Sequence, residues 1–175
     1  MPKCILNATG DQFFTPDSSQ FYFDDLPGEK LLCYVPNADH SLQETNALDT
    51  LIAFHASVVR GLPRPQVVWQ QNDDDAWIVT SEPPPSRALL WRANNDSARD
   101  FRVASIGRAF VGEELTPDAS GRFIAATPAP AKGYAAYLVQ LEFDIGAPTP
   151  LRVTTPVRVV PDALPFASDA AAGGR

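Results

Sequence analysis

The sequence predicts two fold classes in one chain, an α/β part over residues 1–62 and an all-β part over residues 63–163. The first part has two apolar runs with a helix-like segment between them, and the second has short alternating strands between turn residues. The hydrophobic period changes from about 3.6 to about 2 at Leu62-Pro63-Arg64-Pro65, which marks the predicted boundary. Residues 164–175 are predicted to form a disordered tail, because residues 167–175 are small and polar.

Residues 3–9 and 30–36 are predicted to form two parallel strands, because both runs are apolar without strict alternation. A helix-like segment, residues 18–26, lies between them, so the order indicates a right-handed βαβ unit. In open α/β sheets the functional residues follow the carboxyl ends of the strands. Asp11 and His40 occupy such positions.

A second helix is predicted to begin directly after His40 and to end at Gly61. Ser41-Leu42-Gln43-Glu44 matches a capping box, and glycine followed by proline is a helix stop signal. The positions that recur at helical spacing are predicted to form its apolar face: Leu42, Leu48, Leu51, Ile52, His55, Val58 and Val59. This helix would hold the loop of His40 between two rigid elements, as a catalytic base requires.

Seven strands are predicted beyond residue 65, which indicates an immunoglobulin- or fibronectin-like β-sandwich. They comprise residues 66–71, 76–81, 87–93, 108–111, 122–126, 134–145 and 151–160. Turn residues separate them, for example residues 72–75 and 82–85. The aromatic residues could form a carbohydrate platform, but an alternating core explains them better. These residues are Trp69, Trp77, Trp91, Tyr134 and Tyr137.

The chain of 175 residues has a net charge of −7, which argues against nucleic acid and anionic membrane as partners. The acidity is concentrated in residues 1–62, with 3 Lys+Arg against 8 Asp+Glu. No apolar run approaches the length of a membrane span. The first ten residues lack the pattern of a signal peptide, so the localisation is left open.

No cofactor or metal is predicted. Cys4 and Cys33 are expected to be buried free thiols, because a disulfide across neighbouring parallel strands demands awkward geometry. Two cysteines make no metal framework. The spacing of Asp17, Asp24 and Asp25 matches no cation-binding loop, and we interpret them as solvated helix charges.

Asp11 and His40 are the candidate catalytic residues, although either residue by itself could be an ordinary polar residue of a loop. As a pair, Asp11 would fix the tautomer of the ring and His40 would act as general base. Asp39 is expected to stabilise its own loop, and His55 is expected to be a core or boundary histidine.

The charged segment Arg99-Asp100-Phe101-Arg102 allows two interpretations. It could bind a ligand carboxylate, or it could form salt bridges between strands of the sandwich. The salt bridges are the favoured interpretation.

The segment NATGDQFFTPDSSQFYFDDLPGEKLLCYVPNADHSL closely resembles the PhoPQ-activated pathogenicity-related proteins. Three later segments resemble the C-terminal part of the same family, namely LLWRANNDSARDFR, GYAAYLVQLEF and VTTPVRVVP. The resemblance therefore covers roughly residues 1–161. That family looks like α/β-hydrolases with an appended β-domain. The resemblance therefore implies the C-terminal portion of an α/β-hydrolase, begun just before its seventh strand.

The resemblance also implies a triad in the order Ser, acid, His, of which Asp11 and His40 are the last two members. No serine lies in a G-x-S-x-G motif, so the nucleophile is expected from a missing N-terminal hydrolase portion, the implied partner. The substrate would be a small-molecule ester, amide or peptide, and the chain would be inactive alone. The resemblance would allow export of a full-length bacterial parent. The alternatives are a non-catalytic β-sandwich interaction module and a truncated gene product.

Overall fold

The computed structural model describes residues 1–72 and 76–164. The predicted disordered tail, apart from Leu164, and three residues of the predicted turn at 72–75 lie outside the described residues. Within the described ranges, ten strands form three sheets. Helix in these ranges is limited to α1 (Ala47–Arg60), α2 (Val103–Ile106) and one 3₁₀ turn, so the described fold is predominantly β.

The predicted α/β fold class is wrong. β1 (Lys3–Ala8) and β2 (Lys30–Val35) pair in parallel, but they form a sheet of only two strands. The segment between them contains a 3₁₀ turn, Ser18–Phe21, in place of the predicted crossover helix. The residues that the structure describes therefore contain no parallel-sheet core of the α/β-hydrolase type.

Two physical reasons account for this error. An isolated segment as short as residues 18–26 gains little helical stability from its own propensity. Here tertiary contacts fix it instead, since the backbone N–H of Ser19 donates to the Tyr34 hydroxyl at 3.2 Å and Lys30 Nζ donates to the carbonyl of Phe23 at 2.6 Å. In addition, unbroken apolar runs indicate burial on two faces but do not reveal what covers each face.

The rest of the described chain forms two antiparallel sheets that fit a β-sandwich. The first contains β3 (Gln66–Gln71), β4 (Trp77–Glu82) and β7 (Phe123–Ala125), in the order β3-β4-β7. The second has the order β10-β8-β5-β6, with β9 also paired to β8. Its strands are β5 (Arg87–Asn95), β6 (Val111–Glu114), β8 (Tyr134–Phe143), β9 (Leu151–Thr154) and β10 (Arg158–Val160).

The strand predicted over residues 151–160 is two strands, β9 and β10, in the structure. Pro156 lies in the break, where its missing N–H ends the ladder. The strand predicted at residues 108–111 begins later, as β6.

β8 is the centre of the molecule because both of its faces are covered. Tyr137, Val139 and Leu141 are buried in the cluster shared with the three-stranded sheet. Ala136 and Leu138, which point to the opposite face, are buried in a second cluster that also contains residues of β2. The β1–β2 pair therefore packs on the sandwich through side chains that are largely excluded from water.

The helix predicted directly after His40 begins later than expected, at Ala47. The predicted capping box is wrong, because the Ser41 hydroxyl donates to the Asp39 carboxylate at 2.6 Å and does not cap the helix. Leu42 and Glu44 both adopt a φ of 55°, which is incompatible with a helix. The predicted end is confirmed, since Gly61 closes the helix with a φ of 66°.

The predicted apolar face of α1 does not face the core. The buried positions are small or polar, namely Ala47, Thr50, Ala53 and Ser57. Leu48, Leu51, Ile52, Val58 and Val59 are all exposed. Helix α1 lies against β9 and β1, and small side chains allow a close approach to these strands.

The expected tryptophan core is partly present, since Trp77 is buried while Trp69 and Trp91 are half-buried. Cys4 and Cys33 are free thiols, of which Cys4 is only half-buried. Burial raises the pKa of Cys4 to about 11 and that of Cys33 to about 12, so both thiols stay protonated at neutral pH.

Candidate functional site

The structure brings Asp11 and His40 together, as the sequence predicts for this pair. Each residue follows the carboxyl end of its strand, β1 or β2, and Asp11 Oδ2 lies 2.9 Å from His40 Nδ1. The Asp11 side chain is 9% exposed, whereas that of His40 is 49% exposed. The acid is therefore sheltered and the base faces solvent. The catalytic role of the pair remains a prediction.

Backbone contacts bind the two loops to each other. Thr9 N–H donates to the Val35 carbonyl at 3.1 Å, and Gly10 N–H donates to the Ala38 carbonyl at 2.9 Å. A Cβ on Gly10 would lie 2.5 Å from Val103 Cγ2 and 3.0 Å from the Ala38 carbonyl oxygen, so only glycine fits there. The loop of Asp11 thus has little freedom to move relative to the loop of His40.

Asn37 holds the His40 loop against the sandwich, and sequence reasoning did not single it out. Its side-chain amide donates to the Phe110 carbonyl and its Oδ1 accepts from the Phe110 N–H, both at 2.8 Å. Its backbone N–H donates to Thr9 Oγ1 at 3.0 Å. Asn37 has a φ of 60°, and asparagine is favoured in this left-handed region. An asparagine directly after a strand and proline was the available sequence signal.

Asp11 uses both carboxylate oxygens. Oδ1 accepts the N–H groups of Phe13 at 2.7 Å and Phe14 at 3.2 Å, and Oδ2 faces His40. Burial by itself would raise the pKa of Asp11, but the Phe13 N–H, the His40 ring and the Phe14 N–H outweigh it. The pKa of Asp11 is therefore below its ordinary value, and the group is an anion at neutral pH.

An ionised Asp11 fixes the tautomer of a neutral His40 ring. A carboxylate only accepts hydrogen bonds, so Nδ1 must carry the hydrogen and Nε2 is left with a lone pair. Among the described residues, Nε2 has no hydrogen-bond partner. The Phe13 ring packs edge-on to the imidazole with centroids 4.9 Å apart, and the Phe14 ring lies 6.0 Å away. This arrangement can remove a proton from a group that approaches Nε2.

A cavity of about 510 Å³ lies next to Asp11, and His40 is not among its lining residues. Two loops line it, residues 11–16 after β1 and residues 97–102 after β5, together with Tyr134. The rings of Phe13, Phe14 and Phe101 give it an apolar character. Its volume is suited to a small organic group.

The two arginines of the charged segment line this cavity, but both are already paired. Arg99 lies 2.5 Å from Asp17, with both side chains nearly buried, and Arg102 lies 2.6 Å from Asp100. The Arg102 side chain lowers the pKa of Asp100 to about 2. Salt bridges are present, but the predicted bridges between strands of the sandwich are wrong, because Arg99–Asp17 joins two loops and Arg102–Asp100 lies within one loop. The cavity therefore holds no unpaired arginine.

The other residues singled out in the sequence take no part in the contact between Asp11 and His40. Asp39 accepts from the N–H and hydroxyl of Ser41 and so stabilises its own turn. His55 is exposed on α1, so the prediction of a core or boundary histidine is wrong. Asp17 is buried with Arg99 and is not a solvated helix charge, because it lies at the turn that packs against the loop after β5.

In the ranges 1–72 and 76–164, no three side chains of His, Cys, Asp or Glu converge as metal ligands. No helix in this described part of the chain combines the length and apolar character needed to cross a membrane.

The fold and the site define a β-rich protein with an Asp–His pair, of which the acid is sheltered and lies next to an apolar cavity while the base is half-exposed. Its sequence relationships are specific. Residues 1–102 match the PhoPQ-activated pathogenicity-related protein family, and the chain belongs to that family.

One relative is the Autocrine proliferation repressor protein A of Dictyostelium discoideum, which is 29% identical to this chain over 195 residues. The match covers 96% of this chain but only 40% of that relative, so more than half of the relative lies outside it. No solved structure matches the chain.

Proposed function

We propose that this chain supplies the acid and the base of a serine-hydrolase site, with Asp11 as the orienting acid and His40 as the general base. The observation that carries the proposal is the 2.9 Å contact, which leaves Nε2 free on the half-exposed ring. Any Asp–His contact at neutral pH has an ionised acid and a defined tautomer. The features that favour a catalytic role are the free Nε2 and the cavity lined in part by Asp11.

In the proposed reaction, a nucleophile hydroxyl approaches His40 Nε2 and attacks the carbonyl carbon of an ester, amide or peptide. Nε2 takes the hydroxyl proton, and the resulting imidazolium is stabilised by the Asp11 carboxylate through Nδ1–H. The imidazolium then protonates the leaving group as its bond to the carbonyl carbon breaks, which leaves the acyl group on the nucleophile oxygen. A water molecule deprotonated by His40 Nε2 attacks this ester and releases the acid, and His40 returns the proton to the nucleophile. The cavity lined by Phe13, Phe14 and Phe101 would hold the apolar part of the substrate.

The nucleophile is proposed to come from outside the region that this chain shares with its relative. No described serine hydroxyl contacts the His40 ring in residues 1–72 and 76–164. The chain spans 40% of the Dictyostelium relative, so a longer family member has room for a nucleophile and for oxyanion donors. The chain alone is then expected to be inactive.

The test is a chimaera in which this chain replaces the matched region of the Dictyostelium relative. The proposal predicts turnover of p-nitrophenyl esters by the chimaera and none by the isolated chain. His40→Ala should lower kcat by about 10²–10⁴. The matched control is His55→Ala, which removes an exposed histidine from the same part of the chain and should leave kcat unchanged. An equal loss in both variants, or an active chimaera with His40→Ala, would contradict the proposal.

The second candidate is a non-catalytic interaction module. The Dictyostelium relative is described by its name as a repressor of proliferation, with no mention of catalysis. Phe13 and Phe14 are 71% and 60% exposed, which suits a contact surface. An inactive chimaera that retains a repressor activity, and loses it on Phe13→Ala, would favour this candidate.

A further inference from the structure

A second cavity, of about 320 Å³, shares no lining residue with the cavity next to Asp11. Three segments of the described chain line it: the segment between β1 and β2, strands β3 and β4, and the connection from β9 to β10. Because these segments are far apart in the sequence, only the folded chain brings them together. The volume is at the small end of the range of pockets that hold small organic ligands.

Two tryptophans line this cavity from neighbouring strands. Trp69 on β3 is half-buried, and Trp77 on β4 is 7% exposed. Trp77 lies opposite Gln71, two residues along β3 from Trp69, so both indoles are on the same face of the sheet. The Phe23 ring packs against Trp69 with centroids 5.7 Å apart, and Phe23 also lines the cavity. Part of the cavity wall is therefore aromatic and is held in place by packing.

The indole N–H of Trp77 is buried and meets no acceptor in the part of the chain that the structure describes. A buried donor without an acceptor is unfavourable, and folded proteins nearly always supply it with a partner. The core explanation, which accounts for the fully buried Tyr137, does not account for this donor in a cavity wall. Because an indole can only donate, a ligand with an acceptor oxygen in the cavity would satisfy it.

The rim of the cavity is polar and carries both donors and acceptors. Gln20, Asp24 and Gln71 line the cavity and are exposed. Each glutamine amide can donate and accept, whereas the Asp24 carboxylate accepts and the Arg158 guanidinium donates. Among the described lining residues, Asp24 is the single acid and Arg158 the single base, so neither sign of charge dominates. This lining fits a neutral ligand that is rich in hydroxyl groups.

We propose that this cavity binds a neutral saccharide of one or two rings. A sugar ring has an apolar face of C–H groups and a periphery of hydroxyls, and each hydroxyl both donates and accepts. The C–H face would pack on the Trp69 indole, and a sugar oxygen would accept from the Trp77 N–H. Other hydroxyls would pair with the amides of Gln20 and Gln71. Binding at this cavity does not depend on the proposed hydrolase activity.

The test is saturation-transfer NMR of the full chain with maltose, cellobiose, mannobiose and N,N′-diacetylchitobiose as probes. We expect saturation of the C–H protons of at least one probe, with a titration that reaches a plateau. Trp69→Leu and Gln71→Ala should each weaken binding of that probe at least tenfold, because they remove the aromatic surface and a rim amide. The matched controls are Trp91→Leu, at a half-buried tryptophan of another cavity, and Gln66→Ala, at an exposed glutamine of β3 outside this cavity. Both controls should bind like the wild type.

Circular dichroism and the urea midpoint would establish that each variant is folded. Because Gln71 is exposed, Gln71→Ala should keep the wild-type midpoint, and this variant tests the site even if Trp69→Leu destabilises the fold. Absence of binding for every probe would overturn the proposal, since water and not a sugar would then satisfy the Trp77 N–H. So would binding that Trp69→Leu and Gln71→Ala leave unchanged, or that the two control variants weaken equally.

Discussion

At the residue scale, Asp11 shapes its loop with one oxygen and orients His40 with the other. Oδ1 accepts two backbone N–H groups, so the loop turns tightly after Gly10. Oδ2 receives the imidazole. An asparagine at position 11 could still accept from the Phe13 N–H, but its NH₂ group would face His40 and favour the wrong tautomer.

Asp11→Asn is predicted to destabilise the protein by about 1–3 kcal/mol at neutral pH, as is typical for lost hydrogen bonds to a charged group. The pKa of Asp11 is lower in the folded protein than in the unfolded chain. Its stabilising contribution is therefore complete above the unfolded pKa of about 3.9 and is lost as the pH falls through the lower folded pKa.

Urea unfolding of wild type and Asp11→Asn, followed by tryptophan fluorescence between pH 2 and 7, would measure this difference. It should be constant at neutral pH and shrink below about pH 4. The control is Asp24→Asn, which changes an exposed carboxylate of the same part of the chain. A difference independent of pH would mean that Asp11 acts through shape and not through charge.

At the element scale, the loops after β1 and β2 are positioned by contacts from distant segments. Asn37 joins the loop after β2 to Phe110, which precedes β6. Val103, the first residue of α2, donates its N–H to the Gly10 carbonyl at 3.0 Å. The sandwich therefore fixes the geometry of Asp11 and His40, although neither residue belongs to it.

Substitutions at Asn37 separate two contributions, the side-chain bridge and the left-handed backbone. Asn37→Gly removes the bridge to Phe110 but tolerates the positive φ, and it is predicted to cost about 1–3 kcal/mol. Asn37→Ala removes the bridge and also strains the backbone, so it should cost about 1 kcal/mol more. Chemical denaturation of both variants measures the contributions of the side-chain bridge and of the backbone strain to the free energy of unfolding. Equal costs would indicate that the loop relaxes to a negative φ.

At the scale of the whole molecule, three layers depend on one another. β2 is buried between α1 on one face and the five-stranded sheet on the other, and Leu32 shares a cluster with Ala136 and Leu138 of β8. The boundary predicted at residues 62–65 would make residues 63–163 separable from residues 1–62. Separation would lower the free energy of unfolding of the sandwich, because the apolar face of β8 that packs on β2 would become exposed to water.

Hydrogen exchange would test how far the layers are coupled. We expect slow and similar exchange for the amides of residues 32–35 in β2 and 136–141 in β8, and faster exchange for the amides of β1 that face its open edge. The internal control is the exposed strand β6, whose unpaired amides should exchange quickly. Fast exchange throughout β2 beside a protected β8 would support two independent units divided at residue 62.

The sequence by itself determined the parallel pairing of its first two apolar runs, the end of α1 at Gly61, the β-rich region beyond Pro65 and the proximity of Asp11 to His40. These features follow from local patterns, since strand ends, glycine stops and alternation are encoded over a few residues. The family likewise follows from residues 1–102.

Only the tertiary structure decided what covers each apolar surface. The runs of β1 and β2 predicted an α/β sheet, but one face of β2 lies on a β-sheet through Leu32. The periodicity of α1 predicted a buried stripe, but the helix packs through Ala53 and its neighbours and leaves Leu51 exposed. The contacts that give Asn37 and Gly10 their roles are with Phe110 and Val103, far along the chain. A hydrophobic pattern indicates that a surface is apolar. The element that covers this surface depends on packing between residues far apart in the sequence, which a local pattern does not predict.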